Sequence, residues 1–198
     1  MKRCLVFLLL LLCGTLQAVP DTYVILPGEG FGPYKASLGA PAIEKLVKPE
    51  EFGEGEMGGL PSATIFMMEP KKRITIIFGE KRRIKTMSVR GLESVWHTRE
   101  GITLGTTLAT LEKLNGKAFR FQSFEGERSG EILDWGGGKL TRSMPRVKVI
   151  FASPMHAKGY GKLTGEEKLG IEKEGTLSSS DPAARKLNPV VYCIELAF

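Results

Sequence analysis

The apolar positions of this chain recur at every second residue in several short segments, which predicts strands. The segment ITIIF at 74–78 follows this alternation, except that Ile77 makes it apolar on both faces. We therefore expect a central strand that is covered on each side. Turn residues bound each predicted strand. The predicted strands are residues 63–68, 73–79, 84–89, 119–124, 131–135, 146–152 and 190–198.

A helical period appears in two places and predicts two short helices. Residues 37–41 open the first helix, with Pro41 in the first turn, where proline is tolerated, and Pro49 ends it. The second covers residues 106–115, where a threonine can cap the start and Gly116 allows a left-handed exit. One face of this helix carries four leucines: Leu104, Leu108, Leu111 and Leu114.

Together these elements predict an α+β fold, in which an antiparallel sheet of about seven strands packs against two short helices. The other segments are predicted to be loops. Residues 53–61 form a flexible acidic loop, residues 153–188 are loop-rich, and residues 178–182 (SSSDP) are its most mobile part. AIEKL at 42–46 and TLEKL at 110–114 indicate a duplicated helix-plus-sheet unit, and chance similarity of two amphipathic helices is an equally open explanation.

The first eighteen residues have the three parts of a secretory signal peptide. Lys2 and Arg3 supply positive charge, residues 4–13 are an unbroken apolar run, and Ala18 is the small residue at the cleavage point. The apolar run is about half the length that a membrane-spanning helix needs. Lipoprotein cleavage sites have a small residue before the cysteine, whereas Leu12 precedes Cys13 here. Cleavage after Ala18 is therefore favoured over lipid attachment at Cys13. We expect a secreted or periplasmic protein with no transmembrane segment in its mature form.

Composition favours one domain over residues 19–198 that is stabilised by its core. Removing residues 1–18 from the 198-residue chain leaves 180 residues, enough to bury a sizeable core. Two of the three cysteines lie in the leader, so only Cys193 remains, and an internal disulfide is excluded. The chain is therefore not a disulfide-stapled secreted miniprotein.

The net charge of +6 becomes +4 without Lys2 and Arg3, and much of the excess lies in two predicted turns. These candidate contacts for an anionic partner are Lys71, Lys72, Arg73, Lys81, Arg82 and Arg83. A basic patch attracts polyanions by charge neutralisation. An exported chain is an unsuitable nucleic-acid binder, so anionic lipid headgroups or cell-wall polymers are the better partners. The alternative is that these charges only keep the turns solvated and the sheet edges unpaired.

The segment from Trp96 to Leu140 carries an ordered set of motifs. Trp96 precedes GITLGTTLATLEKLNG at 101–116, a phenylalanine-rich segment follows at 119–124, and GGGKL lies at 136–140. In this order the segment resembles a family of uncharacterised exported bacterial proteins with the pattern GIxLGTxLxxLExLNG, then tryptophan, then GGKL. Members carry an aromatic, acidic segment where this chain has EGERSG at 125–130. The positions that match are Trp96, Gly101, Gly105, Leu111, Asn115, Gly116, Trp135 and Gly138.

The resemblance implies an exported protein of similar architecture, with these matching residues in structural roles. It implies no activity. The glycine-turn-helix opening is also loosely similar to that of small periplasmic modules that bind proteins, such as the outer-membrane assembly lipoprotein BamE and the β-lactamase inhibitor proteins. That likeness concerns the fold and is a weak guide to function.

Catalytic and cofactor motifs are absent from the sequence. His97 and His156 have no ligand spacing for a metal, and Cys193, between apolar neighbours, is expected to be a buried inert thiol. No serine lies in a nucleophile-elbow motif, and the glycine-rich segments lack the pattern of a phosphate-binding loop. We predict no cofactor and no metal. The carboxylates near Trp135 that remain candidates for glycan hydrolysis are Glu125, Glu127, Glu131 and Asp134.

We therefore expect a non-enzymatic binding module of the bacterial cell envelope, whose partner is a protein or an anionic envelope polymer. The alternative is an envelope glycan hydrolase that uses Glu125, Glu131 or Asp134 beside Trp135. A concave pocket with two carboxylates facing Trp135 would favour the hydrolase.

Overall fold

The computed structural model describes residues 22–198, which form both strands and helices. The predicted signal peptide at 1–18, including the alternative lipid-attachment residue Cys13, lies outside the described residues. The strands are β1 (Val24–Leu26), β2 (Gly30–Phe31), β3 (Tyr34–Lys35), β4 (Phe52–Met57), β5 (Leu60–Ile65), β6 (Ile74–Phe78), β7 (Ile84–Arg90), β8 (His97–Thr98), β9 (Arg120–Gln122), β10 (Ile132–Asp134), β11 (Val147–Phe151), β12 (Thr176–Ser178) and β13 (Val191–Ala197). The α-helices are α1 (Ala40–Glu44), α2 (Leu108–Asn115), α3 (Leu140–Ser143), α4 (Gly165–Glu172) and α5 (Pro182–Leu187).

The mixed α and β composition is confirmed, but the predicted number of elements is wrong. Residues 22–198 contain 13 strands in three sheets and five α-helices, where the sequence predicted about seven strands and two helices. Each of the seven predicted segments overlaps an observed strand, although β5 begins three residues before the predicted segment 63–68. The six additional strands are two to six residues long. The two- and three-residue strands are too short to show a period of two.

The largest sheet has the strand order β11-β13-β7-β6-β5-β4, and all its neighbours are antiparallel. Strand β6 lies inside this sheet, as predicted for 73–79. Its Ile74, Ile76 and Phe78 are fully buried, whereas Ile77 on the opposite face is half-buried. The last strand of the chain, β13, lies between β11 and β7 and so connects early and late parts of the sequence.

The predicted flexible loop at 53–61 is instead the hairpin of β4 and β5. Met57 pairs with Leu60 across a two-residue turn, and Gly58 and Gly59 both have positive φ, at 58° and 75°. A turn with positive φ at both central residues matches the twist of paired strands and favours glycine. The hairpin is held by backbone pairing and turn geometry, so β4 forms although its residues GEGEM lack apolar alternation.

The segment 153–188 is also more ordered than predicted, since it contains α4, β12 and α5. Residues 178–182, predicted to be the most mobile part of this segment, are held in place by side-chain hydrogen bonds. Ser179 is fully buried, its hydroxyl donates to Glu112 Oε2 at 2.7 Å, and it accepts the amide of Phe119 at 2.9 Å. Asp181 caps α5 through the amides of Ala183 and Ala184. Polar residues thus serve here as caps and buried partners.

A small second cluster of apolar side chains lies beside the main core. The cluster consists of Ala157, Leu163, Ile171 and Leu187, all buried. Because α4 and α5 contribute Ile171 and Leu187 to it, these two helices pack around a small apolar cluster of their own.

Helix α2 has the predicted caps, and its C-terminus is joined to the loop before α3 by one side chain. Thr107 caps the start and Gly116 adopts the left-handed conformation at the end. Asn115, which is 1% exposed, donates from Nδ2 to the carbonyls of Lys117 at 2.9 Å and Trp135 at 2.7 Å. Its Oδ1 accepts the amide of Leu140 at 3.1 Å. One amide group thereby fixes two chain segments that lie 20 or more residues apart.

Gly138 leaves room for this amide group. A Cβ at residue 138 would lie 2.2 Å from Asn115 Oδ1, so even an alanine would force the two segments apart. Residue 138 does not have a positive φ, and the requirement for glycine there comes from this close approach.

We predict that Asn115 and Gly138 are energetically coupled. Asn115→Ala removes three hydrogen bonds, two of them buried, and should lower the free energy of unfolding by about 2–4 kcal/mol. Gly138→Ala should lower it by about 1–3 kcal/mol through overpacking. The double variant should be more stable than the sum of the two effects predicts, because the new methyl group occupies the space that Asn115 leaves. Denaturant titration of the four proteins measures the coupling.

The matched control is Gly165→Ala, because a Cβ at residue 165 meets no neighbouring atom within 4 Å. This variant should be as stable as the parent or slightly more stable. Additive effects of the 115 and 138 substitutions would contradict the proposed coupling.

Candidate functional site

The two basic turns lie at opposite ends of β6. Lys71, Lys72 and Arg73 precede this strand, and Lys81, Arg82 and Arg83 follow it. A five-residue strand extends over about 16 Å at 3.3 Å per residue. The six charges therefore do not form one patch, and each turn has its own surroundings.

The first turn uses its charges within the fold. Lys72 Nζ lies 2.6 Å from Glu69 Oε2, and this hydrogen bond raises the pKa of Lys72. Arg73 donates to the carbonyl of Met67 at 2.6 Å, and Lys71 lies 3.8 Å from a carboxylate oxygen of Glu93. These contacts indicate that the charges of the first turn are already engaged by neighbouring groups of the fold.

The second turn holds two side chains in a backbone conformation that non-glycine residues rarely adopt. Lys81 and Arg82 have φ of 54° and 55°. Such positions cost on the order of 1–3 kcal/mol each, and they cluster at functional sites. Arg82 pairs with Glu54 and lies over the ring of Phe78, 5.4 Å from its centroid. Within residues 22–198, Lys81 and Arg83 are exposed and form no ion pair.

A cleft of about 850 Å³ opens beside the second turn. We call it the basic cleft. Lys81, Arg82 and Arg83 line one side. Residues 36–41, which precede and begin α1, line the other side together with Phe198, and two glutamates, Glu44 and Glu54, also reach it. None of the first turn's residues lines the basic cleft.

The residues that carry the family resemblance lie in the core and its turns. Trp96 is fully buried, its Nε1 donates to the carbonyl of Lys72 at 2.8 Å, and its ring packs edge-on against Tyr23 and Phe31. Leu111 is fully buried and Trp135 is 8% exposed. The glycines with positive φ in this set are Gly101, Gly105 and Gly116. Together with the Asn115–Gly138 contact, these positions support the fold, and none of them lines the basic cleft.

Two of the carboxylates near Trp135, Glu131 and Asp134, are held in ion pairs. Glu131 accepts two hydrogen bonds from Arg128, at 2.9 and 3.0 Å, and these lower the pKa of Glu131. Asp134 accepts the amide of Gly136 at 2.7 Å and Arg120 Nε at 2.6 Å, which lower its pKa as well. A glycosidase acid needs a raised pKa.

Trp135 and Glu125 do not complete a hydrolytic pocket. The Trp135 ring packs against Phe119 at 5.3 Å between centroids and is buried, so its face is unavailable to a sugar. Glu125 lines a separate surface depression with Phe124 and Glu172, from which Trp135 is absent. Glu127 is exposed in the turn that follows.

The remaining candidate side chains give no catalytic or metal site. Within the described part of the chain, no group of three or more histidine, cysteine, aspartate or glutamate side chains is placed to hold a metal ion. His97 lies in β8 next to the buried Trp96, and His156 is exposed in the 153–188 segment. Cys193 is 1% exposed, and burial raises its pKa to about 11.

The side of the basic cleft formed by 36–41 was not predicted. Its signals in the sequence are local turn residues, which predict a helix start but do not indicate what lies opposite. Phe198 reaches the cleft because β13 runs between β7 and β11, a pairing that depends on contacts more than 100 residues apart in the chain.

No family model, curated protein sequence or solved structure matches this chain. The inference of function therefore depends on the chain's own geometry. Between residues 22 and 198, no helix is both long enough and apolar enough to cross a bilayer.

We predict that Glu131 contributes to acid sensitivity. Arg128 holds the pKa of Glu131 below 4.5, so the pair stabilises the folded state above that pH, and this contribution is lost as the pH falls through the lowered pKa. Glu131→Gln should flatten the fall in unfolding free energy between about pH 5 and pH 3. Urea titrations across this range measure it, with Glu127→Gln as the control in the same turn. Equal slopes for parent and Glu131→Gln would contradict this role.

We predict that Cys193 is unreactive in the folded protein. The thiolate is the nucleophilic form, and a pKa of about 11 leaves little of it at pH 8. Alkylation by iodoacetamide, located by peptide mass spectrometry, should be slow at Cys193 in buffer and fast in denaturant. Equal rates in both conditions would contradict the buried position.

Proposed function

We propose that this protein is an exported, non-enzymatic binding module of the bacterial cell envelope, and that it binds an anionic envelope polymer in the basic cleft. The proposal of export depends on the predicted leader at 1–18 and on the resemblance of residues 96–140 to a family of exported proteins. The observation that carries the proposed binding is the second basic turn. It places Lys81, Arg82 and Arg83 along one side of a cleft, with two of them in a strained conformation.

The charges and shape of the cleft support an anionic chain as the ligand. Within the described part of the chain Lys81 and Arg83 form no ion pair, so an anion gains two new ion pairs without breaking an existing one. Glu54 is already neutralised by Arg82, which leaves Glu44 as the free carboxylate on the opposite side. An open cleft with cations on one side fits a polymer that passes through it, with its anionic groups turned toward that side.

The hydrolase alternative receives no support from the site. Glu131 and Asp134 are both engaged by arginines, and Trp135 is buried in the core. A protein partner stays the alternative within the binding-module proposal, and it is one outcome of the experiment below.

We predict that binding of poly(glycerol phosphate) depends on the second turn. Lys81→Gln/Arg83→Gln removes the two unpaired charges and leaves the Arg82–Glu54 pair in place. This variant should bind the polymer about two- to thirtyfold more weakly, because two exposed ion pairs worth about 0.2–1 kcal/mol each are lost. Calorimetric titration of the purified protein at two salt concentrations should also give weaker binding at high salt, since salt screens exposed charges.

The matched control is Lys71→Gln/Lys72→Gln, which removes the same charge from the other end of β6. It should retain most of the affinity, with thermal melting as the test of folding for both variants. Equal losses in the two variants would indicate attraction by net charge alone and would contradict a site in the basic cleft. Absence of polymer binding, together with capture of a protein from envelope extract, would replace the polymer by a protein partner.

A further inference from the structure

A second cavity, of about 550 Å³, lies at the far end of the central strands. Strand β7 begins at the basic cleft and ends near Leu92, whereas β13 begins next to Val190 and ends near Phe198. The basic cleft and this cavity are thus separated by the length of one seven-residue strand, about 23 Å. We call the second one the lysine cavity.

Among residues 22–198, five basic side chains line the lysine cavity and no carboxylate does. His156, Lys158 and Lys162 come from the segment before α4, whereas Arg185 and Lys186 come from the last turn of α5. Basic residues at a helix C-terminus commonly offset the helix dipole, which accounts for the α5 pair. It does not account for Lys158 and Lys162, which come from another segment.

The charges of the cavity are only partly neutralised. Arg185 lies 2.5 Å from Glu112 and Lys186 lies 2.7 Å from Glu167, but both glutamates are outside the lining. In the described part of the chain, Lys158 and Lys162 are exposed and form no ion pair. The cavity thus has four permanently charged cations, two of which, Lys158 and Lys162, have no ion-pair partner in the described chain. This is the charge that a phosphate dianion requires.

The cavity is shaped by close packing of its walls. A Cβ at Gly159 would lie 1.9 Å from the carbonyl oxygen of Lys186, so glycine lets the lysine-bearing segment touch the end of α5. Asn188 adopts φ 48°, and its Oδ1 accepts the amide of Ala109 at 3.0 Å. The amide of Leu108 donates to the carbonyl of Pro189 at 2.8 Å. These bonds use the first amides of α2, so an anion must be bound by the side-chain cations.

The walls also contain apolar surface. Leu92, Leu187 and Val190 line the cavity beside the cations. Its volume lies within the range typical of small-molecule sites, which combine mostly apolar walls with a few polar groups. An inorganic anion would fill only a small part of this volume. The shape therefore suits an anion that carries an organic group.

We infer that the lysine cavity binds a phosphate monoester of a small organic molecule. Lys158 and Lys162 would contact the phosphate group, with Arg185 and Lys186 behind them, and the organic part would lie against the apolar wall. This site is independent of the proposed polymer binding in the basic cleft, because the two share no lining residue.

The test titrates the purified protein with inorganic phosphate, glucose 6-phosphate and glucose in a calorimeter at constant ionic strength. We expect saturable binding of both phosphates, tighter binding of glucose 6-phosphate than of inorganic phosphate, and no binding of glucose. Absence of saturable phosphate binding would overturn the site. Equal affinity for the two phosphates would overturn the assignment to an ester.

Substitutions locate the binding. Lys158→Gln/Lys162→Gln should weaken glucose 6-phosphate binding by about tenfold or more, since it removes two charge-assisted hydrogen bonds. Lys158→Arg/Lys162→Arg should retain binding. The matched control is Lys45→Gln/Lys48→Gln, which removes two exposed, unpaired lysines of the described chain that line neither cavity. An equal loss in the control, or no loss in Lys158→Gln/Lys162→Gln, would overturn the assignment.

Discussion

Backbone pairing of the last strand holds the molecule together. Strand β13 pairs with β7 along one edge and with β11 along the other, so the six-stranded sheet is complete only when the final residues of the chain are in place. The pairs Ile194–Val89 and Cys193–Arg90 join positions more than 100 residues apart. Contacts of such separation carry a large loop-closure cost and favour slow folding. Both cavities depend on this strand, since Phe198 lies at one end of it and Val190 at the other.

The basic residues fall into two groups that sequence alone does not separate. Lys72 and Arg73 are bound to neighbouring acceptors and support their loop. Lys81, Arg83, Lys158 and Lys162 have no acidic partner in residues 22–198 and line concave surfaces. Exposed ion pairs contribute little to the free energy of unfolding. The pairing of Lys72 therefore matters more for binding, because it neutralises a positive charge that an anionic ligand would otherwise contact. The mild net charge of +6 conceals this uneven distribution.

Sequence patterns predicted the elements that have a clear period and strong end signals. Strand β6 and helix α2 belong to this class, and the caps of α2 at Thr107 and Gly116 lie where the residue types indicated. The patterns failed for β4, because GEGEM forms a strand through the two-glycine turn and its partner rather than through apolar alternation. They failed for 178–182, because the burial of Ser179 depends on Glu112, 67 residues away. The two cavities could not be predicted from sequence patterns for the same reason, because each is formed by segments that are distant in the chain.

The outer position of β4 has a consequence for association between molecules. Among residues 22–198 this strand has a neighbour on one side only, so its other edge offers backbone groups to any extended chain that approaches. Glu54 and Glu56 alternate with Gly53 and Gly55 along it. Glu54 is paired with Arg82, but Glu56 has no ion pair among residues 22–198, so a second copy aligned edge to edge would meet an unneutralised charge. The glycines give such a copy no side chains to pack against. The glycine and glutamate content that made residues 53–57 resemble a loop therefore also disfavours pairing of the β4 edge with a second molecule.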